Sequence, residues 1–344
     1  MKKVIKGLIV LCSFVISVAS AQETQFSQFF ATSAFLNPAY VGISGSATLD
    51  LNYKTPLGDG VNSLNSLMHA TVSMPIQRVT TLASNAAGVG LTFVKESRGY
   101  EGVHQITNVL LAGSYNIPLS YSGQSFISLG LQGGVIQNKL DNDQLQFGSQ
   151  YNPYLGYDSS LPSASLQNAN RIVPTFNTGA ILHINDHHNP ILSKKSLWMG
   201  VSAHSVNRPK YGFYDMDRKP IQLKLFMVSR IRAATKASLH PSAYLLKYGE
   251  AYQVNAGLYL SRYLDRQLTS VLQIGSWYRV NDSFIFLVGL KHQQWKAGVS
   301  VDLNSQTFNS NEIVTGNTIA TYEISFSYNF SLRNVIVDVT NPLF

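Results

Sequence analysis

The stretch that most limits how this chain can fold lies near its C-terminus, between Trp295 and Phe330. Within residues 295–303 and again within 322–330, apolar or aromatic residues occupy every second position, and the residues between them are polar or small. A repeat of two residues is the period of a β-strand, whose side chains point alternately to opposite faces. A soluble sandwich would place the apolar face on a protein core. A transmembrane barrel would place it against lipid, with the polar face toward a wet lumen.

The first residues predict export from the cytoplasm. Lys2, Lys3 and Lys6 precede an apolar run over 7–18, and Ala19-Ser20-Ala21 follows it. This order of a basic region, a short apolar region and small residues is typical of a secretory signal peptide over residues 1–21, cleaved near Ala21-Gln22. A retained transmembrane anchor is the alternative, but the run is shorter than the ~20 residues that span a bilayer.

Cysteine usage and charge exclude several kinds of site. Cys12 is the only cysteine and lies within the predicted signal peptide, so neither disulfides nor a cysteine-ligated metal are expected in the mature chain. The formal charge of +8 is spread along the chain and forms no basic cluster. We therefore expect no nucleic-acid partner, whereas an acidic lipid surface is compatible with this charge.

The composition favours the membrane barrel over the soluble sandwich. Charged residues make up 13% of the chain and aromatic residues 11%, against roughly 25% charged residues in average soluble proteins. After the signal peptide no apolar run approaches the length of a membrane helix. Low charge without helical spans suits a barrel in the membrane, where tyrosines form girdles at the two interfaces.

Counting alternating segments gives the predicted architecture. About 14 strand candidates run from Ala47–Lys54 to Ala320–Phe330, an even number as in bacterial single-chain barrels. We predict an all-β, transmembrane, antiparallel β-barrel over 47–330, preceded by a leader over 22–46 and followed by a tail over 331–344. The long connections, such as Asn138–Arg171, are expected outside the cell, and the leader in or across the periplasmic mouth.

Two features of the strand candidates bear on the lumen. An Arg or Lys facing lipid at mid-bilayer costs roughly 2–4 kcal/mol, so Lys224, Arg230 and Arg232 should face the lumen. Residues 283–290 are apolar on both faces, which blurs the pattern there. A barrel of this size has an open lumen unless a segment fills it, and the leader or the segment Asn138–Arg171 are the available plugs.

Four sequence blocks resemble one known family. They are 25–29 (QFSQF) with 36–42 (LNPAYVG), 200–204 (GVSAH) with Pro209, 239–242 (LHPS) with 246–248 (LKY), and 322–330 (YEISFSYNF). In this order they resemble the PorP/SprF family, outer-membrane proteins of the type IX secretion system of Bacteroidota. The tail 331–344 departs from the family pattern, in which the chain would end near Phe330.

The resemblance implies a non-enzymatic outer-membrane barrel without a cofactor. It would receive and anchor an exported adhesin through a type B C-terminal domain, and several family members serve gliding motility. Other type IX components, a peptidoglycan-linked periplasmic protein and outer-membrane lipid are the further partners that it implies.

Candidate partner-binding residues fall in two places. Gln25, Phe26, Gln28, Asn37 and Pro38 belong to the N-terminal block, although Asn37-Pro38-Ala39 is also typical of a rigid turn. The second group combines aromatic and basic side chains, which make good interface anchors, and a membrane-interface girdle is its alternative explanation. It comprises Arg208, Tyr211, Phe213 and Tyr214.

Two other functions remain as alternatives. A FadL-like channel for hydrophobic molecules would also have about 14 strands and an N-terminal Asn-Pro-Ala segment. A hydrolase could use Asp50, Asp302 and Glu323 as acid and base, but charges inside barrels more often balance one another. His187-His188, near Asp186 and His183, is read as a polar turn because no complete metal-ligand set accompanies it.

Overall fold

The chain forms a closed antiparallel β-barrel of fourteen strands. The computed structural model describes residues 25–57, 65–77, 85–99, 102–120, 125–141, most of 145–161, 169–187, 193–213, 218–304 and 320–330. The strand number and the closed antiparallel arrangement confirm the predicted fold. The predicted signal peptide over 1–21 and the tail over 331–344 lie outside the described residues.

The barrel strands are 10 to 16 residues long. Their bounds are β1 Ala47–Leu57, β2 Ser66–Gln77, β3 Asn85–Arg98, β4 His104–Pro118, β5 Phe126–Leu140, β8 Asn170–Asn185, β9 Lys195–His204, β10 Gln222–Ala234, β11 Ala237–Tyr248, β12 Ala251–Tyr263, β13 Ser270–Arg279, β14 Ser283–His292, β15 Trp295–Asn304 and β16 Ala320–Phe330. Two short strands, β6 Tyr151–Asn152 and β7 Gly156–Tyr157, pair with each other in the connection between β5 and β8.

The first and last strands close the barrel along their whole length. Ala47 pairs with Phe330 and Leu57 with Ala320, without a register shift between them. All other neighbours are consecutive barrel strands. This closure leaves no unpaired sheet edge, as a structure surrounded by lipid requires.

Alternation along the strands separates an apolar outer face from the inside. In β14, Phe284, Phe286 and Val288 are exposed, while Ser283, Ile285 and Leu287 between them are buried. Lys224 is buried inside, and Arg230 and Arg232 flank the outward-facing Ile231. Among the described residues, no helix is long and apolar enough to cross a membrane.

The two ends of the barrel differ in their connections. At one end, which we call the long-loop end, strand ends are joined over 8, 5, 29, 17, 2, 3 and 15 residues of sequence, starting with the connection from β1 to β2. At the other, the short-turn end, they are joined over 7, 7, 9, 2, 6 and 2 residues, starting with the connection from β2 to β3, and both Ala47 and Phe330 lie there. This asymmetry between long outer loops and shorter inner turns is typical of outer-membrane barrels.

Residues 25–46, which we call the plug, lie inside the barrel. They form a 3₁₀ turn at Phe29–Ala31, a short helix α1 at Ser33–Leu36 and a second 3₁₀ turn at Pro38–Tyr40. A shared hydrophobic core packs the plug against the inner barrel wall; it comprises Phe29, Phe30, Ala31, Leu36, Ala39, Tyr40 and Ile43 of the plug with Phe126, Ile181, Trp198, Phe226, Val228, Tyr244, Leu246, Tyr259, Trp277, Ile285 and Leu287 of the strands. The lumen is therefore partly apolar, and residues 283–290 are apolar on both faces because one face meets lipid and the other meets the plug.

The plug reaches deeper than the mouth at which the leader was expected. Its last residue precedes β1 at the short-turn end, but the Gln25 carbonyl accepts a hydrogen bond from Lys54 Nζ at 2.8 Å. Lys54 lies in the half of β1 nearer the long-loop end. At this depth the first described residues of the plug have charged partners, since Lys54 Nζ also donates to Ser27 Oγ.

Candidate functional site

A buried charged cluster holds the first described residues of the plug. The Glu323 carboxylate of β16 accepts the backbone N–H of Ser27 at 2.6 Å and that of Gln28 at 3.1 Å. It also accepts the side-chain amide of Asn52 at 2.8 Å. Hydrogen bonds to a charged group are stronger than neutral ones, so Glu323 fixes the plug to the last strand.

Three further charges complete this cluster around Ser27. Lys54 Nζ donates to Ser27 Oγ at 2.7 Å and lies 2.9 Å from Asp302 Oδ2. Arg279 Nη1 lies 3.3 Å from the same oxygen, and Ser27 Oγ also donates to Asp302. Buried charges are tolerated when they are paired and hydrogen-bonded. We call Lys54, Arg279, Asp302 and Glu323 the ionic anchor.

Of the three acids considered for catalysis, Asp302 and Glu323 lie together in the ionic anchor and Asp50 lies apart from them. Asp302 and Glu323 are both engaged by the plug. Asp50 accepts from Ser327 and lies four residues from Lys54 along β1, a separation of about 13 Å at the rise of a β-strand. These contacts give the carboxylates a structural role.

A second anchor fixes plug residues 37–42 to the opposite wall, where glycines let the plug backbone approach the strands closely. A Cβ atom on Gly130 would lie 2.3 Å from the backbone nitrogen of Ala39, and one on Gly88 would lie 2.4 Å from Gly42 Cα. Gly42 has φ +72°, a left-handed conformation that favours glycine. We call this contact, which also includes Gly179 and Gly200, the glycine seam.

Side-chain hydrogen bonds complete the glycine seam. The hydroxyl groups of Ser114, Ser128 and Ser202, on β4, β5 and β9, donate to plug carbonyls of residues 41, 39 and 36. Asn37 Nδ2 donates to the carbonyls of Ala180 at 3.1 Å and Val201 at 3.0 Å. These bonds satisfy plug carbonyls that would otherwise be buried without partners.

Asn37 and Pro38 therefore form a turn that also binds the wall. Asn37 Oδ1 accepts the backbone N–H of Ala39 at 2.9 Å, and Pro38 starts the 3₁₀ turn. Both residues are buried. The rigid turn that the sequence indicates describes the conformation of Asn37 and Pro38. The same turn places the Asn37 side chain in contact with the barrel wall.

A chamber of about 70 Å³ remains between the plug and the long-loop end. Its floor is formed by Phe26, Phe29 and Phe35 of the plug. On one side it is lined by apolar residues of β2 to β5, namely Leu67, Val94, Ile106, Leu110 and Ile136. Lys219, Gln222 and Lys224 lie among the lining residues of the loop before β10 and of β10 itself.

The described parts of the loop between β9 and β10, residues 205–213 and 218–221, lie over the rim of this chamber. Asn138 Nδ2 donates to the Tyr211 carbonyl at 2.8 Å, and Arg171 Nη1 donates to the Gly212 carbonyl at 2.7 Å. The Phe213 ring packs edge-on against His104, with centroids 5.7 Å apart. These contacts place aromatic side chains of the loop at the mouth of the barrel.

The predicted partner-binding residues are thus spread over four locations. Gln25 and Phe26 line the chamber, Gln28 Nε2 donates to Ser300 Oγ at 3.2 Å, and Asn37 and Pro38 belong to the glycine seam. Tyr211 and Phe213 lie half-buried at the rim, and Arg208 is exposed on the same loop. Tyr214 lies outside the described residues.

The sequence-based search missed the residues that fix the plug. The seam serines and glycines, the ionic anchor and the chamber lysines were not identified as one site. The available signal was weak: small residues at inward positions of strands whose other inward residues are large. His188 lies outside the described residues, and within the described part of the chain no group of three potential metal ligands occurs.

An apolar groove lies on the outer face of the wall behind the glycine seam. Its volume is about 830 Å³, and small outward residues form its base, among them Ala87, Gly113, Thr178, Ala180 and Ala203. Larger residues border it, among them Ile76, Val89, Tyr115, Leu129 and Leu131. At this patch the wall carries little side-chain bulk on either face.

Solved structures with a similar course of the chain are bacterial membrane barrels of low sequence identity. The Ralstonia pickettii toluene transporter TbuX has a TM-score of 0.46 and 10% identity, covering 87% of this chain and 93% of that one. A Pseudomonas aeruginosa FadL homologue has a TM-score of 0.43 and 12% identity, covering 87% and 94%. Likenesses this distant carry no argument about function.

Comparison with sequences identifies the family. No curated protein matches the chain. The family model described as type IX secretion system membrane protein PorP/SprF matches residues 18–328, which include the plug and nearly all of the barrel. The chain is therefore a member of the PorP/SprF family of type IX secretion system membrane proteins.

Proposed function

We propose that this barrel holds an exported protein at the outer membrane and performs no catalysis itself. The observation that carries the proposal is the fixed plug with a chamber on its long-loop side. A plug that shares a core with the barrel wall and has two polar anchors blocks free diffusion through the lumen. The chamber is then accessible from one side of the membrane only.

The orientation of the barrel follows from the ends of its strands. With both ends at the periplasmic side, as in bacterial single-chain barrels, the long-loop end faces the cell exterior. The chamber and the rim residues Tyr211 and Phe213 then face a protein that has already crossed the membrane. An exported adhesin, bound through its C-terminal domain, is the partner that we propose.

The short-turn end would face the periplasm in this orientation. Other type IX components, including a peptidoglycan-linked periplasmic protein, are the partners proposed for that side. A role in gliding motility would follow from the identity of the exported adhesin. Cleavage near Ala21-Gln22 is part of the same proposal, since the plug begins shortly after that site.

Site-specific photo-cross-linking in intact cells tests the exported partner. A photoreactive phenylalanine analogue at Phe213 should cross-link a secreted protein, because this ring lies at the exterior rim. The matched control is the same analogue at Phe286, whose side chain is 50% exposed on the outer face of β14. Recovery of no secreted C-terminal domain from position 213 would refute the proposal.

The apolar groove favours a second candidate function, a channel for hydrophobic molecules. Such a channel would pass its solute between lumen and lipid through the thin wall at the glycine seam. Uptake of a hydrophobic dye by liposomes containing the purified protein tests it. Uptake equal to that of empty liposomes would remove this candidate.

A further inference from the structure

We propose that the short-turn mouth of the barrel binds an acidic polypeptide segment, whose carboxylates pair with basic side chains on the inner wall. The inference rests on the proposed function, since that function turns the short-turn end toward the periplasm, and the segment would belong to the periplasmic partner. The charge of this end, the direction of its basic side chains and their separation support it.

The short-turn end carries an excess of positive charge. Its described turns, together with the five residues of each barrel strand nearest to this end, contain three acidic residues, Asp50, Asp186 and Asp265. The same positions contain nine basic residues, namely Lys194, Lys195, Arg230, Arg232, Lys236, Arg262, Arg266, Lys291 and Lys296. The turn residues outside the described part add Arg78 and no acidic residue. A surface with one predominant sign of charge attracts the opposite sign, so this end favours an anionic partner.

Two of the three acidic residues form hydrogen bonds within their own turns. The Asp186 carboxylate accepts the backbone N–H of Lys194 at 3.0 Å and that of Lys195 at 2.9 Å. The Asp265 carboxylate accepts the backbone N–H of Thr269 at 2.9 Å. These bonds explain why acidic residues occur at this end, and with both carboxylates counted the end is still strongly positive.

Two lysines of the inner wall lie directly opposite each other on neighbouring strands. Lys291 of β14 and Lys296 of β15 are register partners, which places their Cβ atoms roughly 4.5–5.5 Å apart. Lys296 is buried beside the plug, with Nζ 5.5 Å from the centroid of the Phe30 ring, and Lys291 is half-buried. Like charges in this arrangement are destabilising. Asp50, two strands away from Lys296, supplies one negative charge, and a bound carboxylate would supply a second.

A pair of arginines lies on the inner face of β10. Arg230 and Arg232 are two residues apart on either side of the outward-facing Ile231, and both are half-buried. Lipid headgroups surround the barrel on its outside, whereas the arginine pair and the lysine pair point inward. A chain segment that enters the mouth is therefore better placed than lipid to reach both pairs.

The distance between the two pairs determines the kind of anion. Four strand spacings of roughly 4.8 Å separate β10 from β14 along the wall, too far for one carboxylate to contact both pairs. An extended chain advances about 3.4 Å per residue. A segment with acidic residues at two places about four to six residues apart would contact both pairs, and a single small anion would not.

Fluorescence anisotropy with the full-length protein in phosphatidylcholine nanodiscs tests the inference. The probe is the peptide Glu-Glu-Gly-Ser-Gly-Glu-Glu with a neutral dye, and its control has glutamine in place of every glutamate. We expect the acidic peptide to bind about tenfold more tightly at low salt, with a difference that shrinks as the salt concentration rises. A peptide with glutamates at one end only should bind less tightly than the probe, because it contacts one pair.

Single substitutions separate the inner wall from other basic positions. Lys291→Gln and Arg232→Gln, both at half-buried positions, should each weaken binding of the acidic peptide about threefold. Lys291→Arg keeps the charge and should bind like the wild type. Lys139→Gln, at an exposed position near the long-loop end of β5, is the matched control and should leave the affinity unchanged. Unchanged affinity in both Lys291→Gln and Arg232→Gln would contradict the assignment.

Three further outcomes would overturn the inference. The first is equal binding of the acidic peptide and its glutamine control. The second is a loss of affinity in Lys195→Gln, whose side chain is exposed on the outer face, without a loss in Lys291→Gln, because the attraction would then lie at the lipid interface. The third is competition by oligogalacturonate that is stronger than competition by unlabelled acidic peptide, because the mouth would then bind acidic sugars.

The test distinguishes this inference from the proposed function. If the acidic peptide fails to bind while the Phe213 cross-link still captures a secreted protein, only the inference falls and the proposed function stands. If the cross-link also fails, the proposed function falls with it.

Discussion

Gly130 of the barrel wall and Ala39 of the plug are in backbone contact, so close that a Cβ atom on Gly130 would lie 2.3 Å from the Ala39 nitrogen. The neighbouring Ser128 donates its hydroxyl to the Ala39 carbonyl at 2.7 Å. Strand β5 and the plug turn at residues 37–42 therefore fit together at the pair Gly130 and Ala39. This contact can be broken without removing any polar group.

Gly130→Ala should displace the plug from the wall. The added methyl group meets backbone atoms, which cannot rotate away, so the turn at residues 37–42 must move. We expect greater protease sensitivity of the plug in detergent and a higher single-channel conductance in planar bilayers. Gly113→Ala is the matched control, because the atom nearest to its added Cβ, the Gly88 carbonyl oxygen, would lie 4.0 Å away, and it should behave like the wild type. Unchanged conductance and protease sensitivity in Gly130→Ala would contradict the close contact.

Glu323→Gln should loosen the other end of the plug. The amide nitrogen of glutamine would face donors, and the charge that stabilises the Ser27 and Gln28 N–H groups would be lost. Hydrogen bonds to charged groups contribute roughly 1.5–3 kcal/mol each, so we expect a loss of about 2–4 kcal/mol in the free energy of unfolding. Denaturant titration in detergent measures it. Glu250→Gln, in the exposed turn between β11 and β12, is the control and should change the free energy by less than about 0.5 kcal/mol.

Asp302→Asn should destabilise the protein more than Asp282→Asn. Both carboxylates pair with Arg279, but the side chain of Asp302 is 5% exposed and that of Asp282 19%. Removing one partner of a buried ion pair costs roughly 3–5 kcal/mol, whereas we expect about 1 kcal/mol for the more accessible pair. The melting temperatures of the two variants are compared by measuring the heat-dependent change in their gel mobility. Equal melting temperatures would show that Asp302 does not carry the ionic anchor.

Deleting residues 22–44 should open the lumen. The deletion removes the apolar and polar contacts that fill the barrel between its walls. Because a barrel of 14 strands is wide enough to leave a channel when nothing fills it, single-channel conductance should rise clearly above that of the full-length protein. An internal deletion within 305–319, a connection at the long-loop end, is the control for the effect of shortening the chain. Equal conductance with and without the plug would refute its blocking role.

The barrel could be predicted from the sequence because its determinants are local. The alternation in 295–303 and 322–330 follows directly from strands with one face in lipid, and both segments lie within barrel strands, β15 Trp295–Asn304 and β16 Ala320–Phe330. Other strand ends were less accurate. Alternation alone predicts a strand over Pro241–Lys247, whereas β11 begins four residues earlier, at Ala237. The strand can include Pro241 because the proline lies where the ladder to β10 is interrupted, so that its missing N–H is tolerated.

The position of the plug could not be predicted, because it depends on pairs of residues far apart in the sequence. Asn37 meets the carbonyls of Ala180 and Val201, and no local pattern links these positions. Two residues of β14, Ile285 and Leu287, gave an indication in the sequence that the lumen is filled. Their inward apolar side chains indicated that something other than water fills this part of the lumen, but not which segment does so.

The bond between Ser27 and Glu323 joins the N-terminal plug to the last barrel strand across 296 positions. Because β16 is also the strand that closes the cylinder against β1, closure of the wall and attachment of the Ser27 end of the plug depend on one and the same strand. A defect in β16 would therefore open the wall and release that end of the plug together, while the glycine seam on β3, β5, β8 and β9 would still hold residues 37–42.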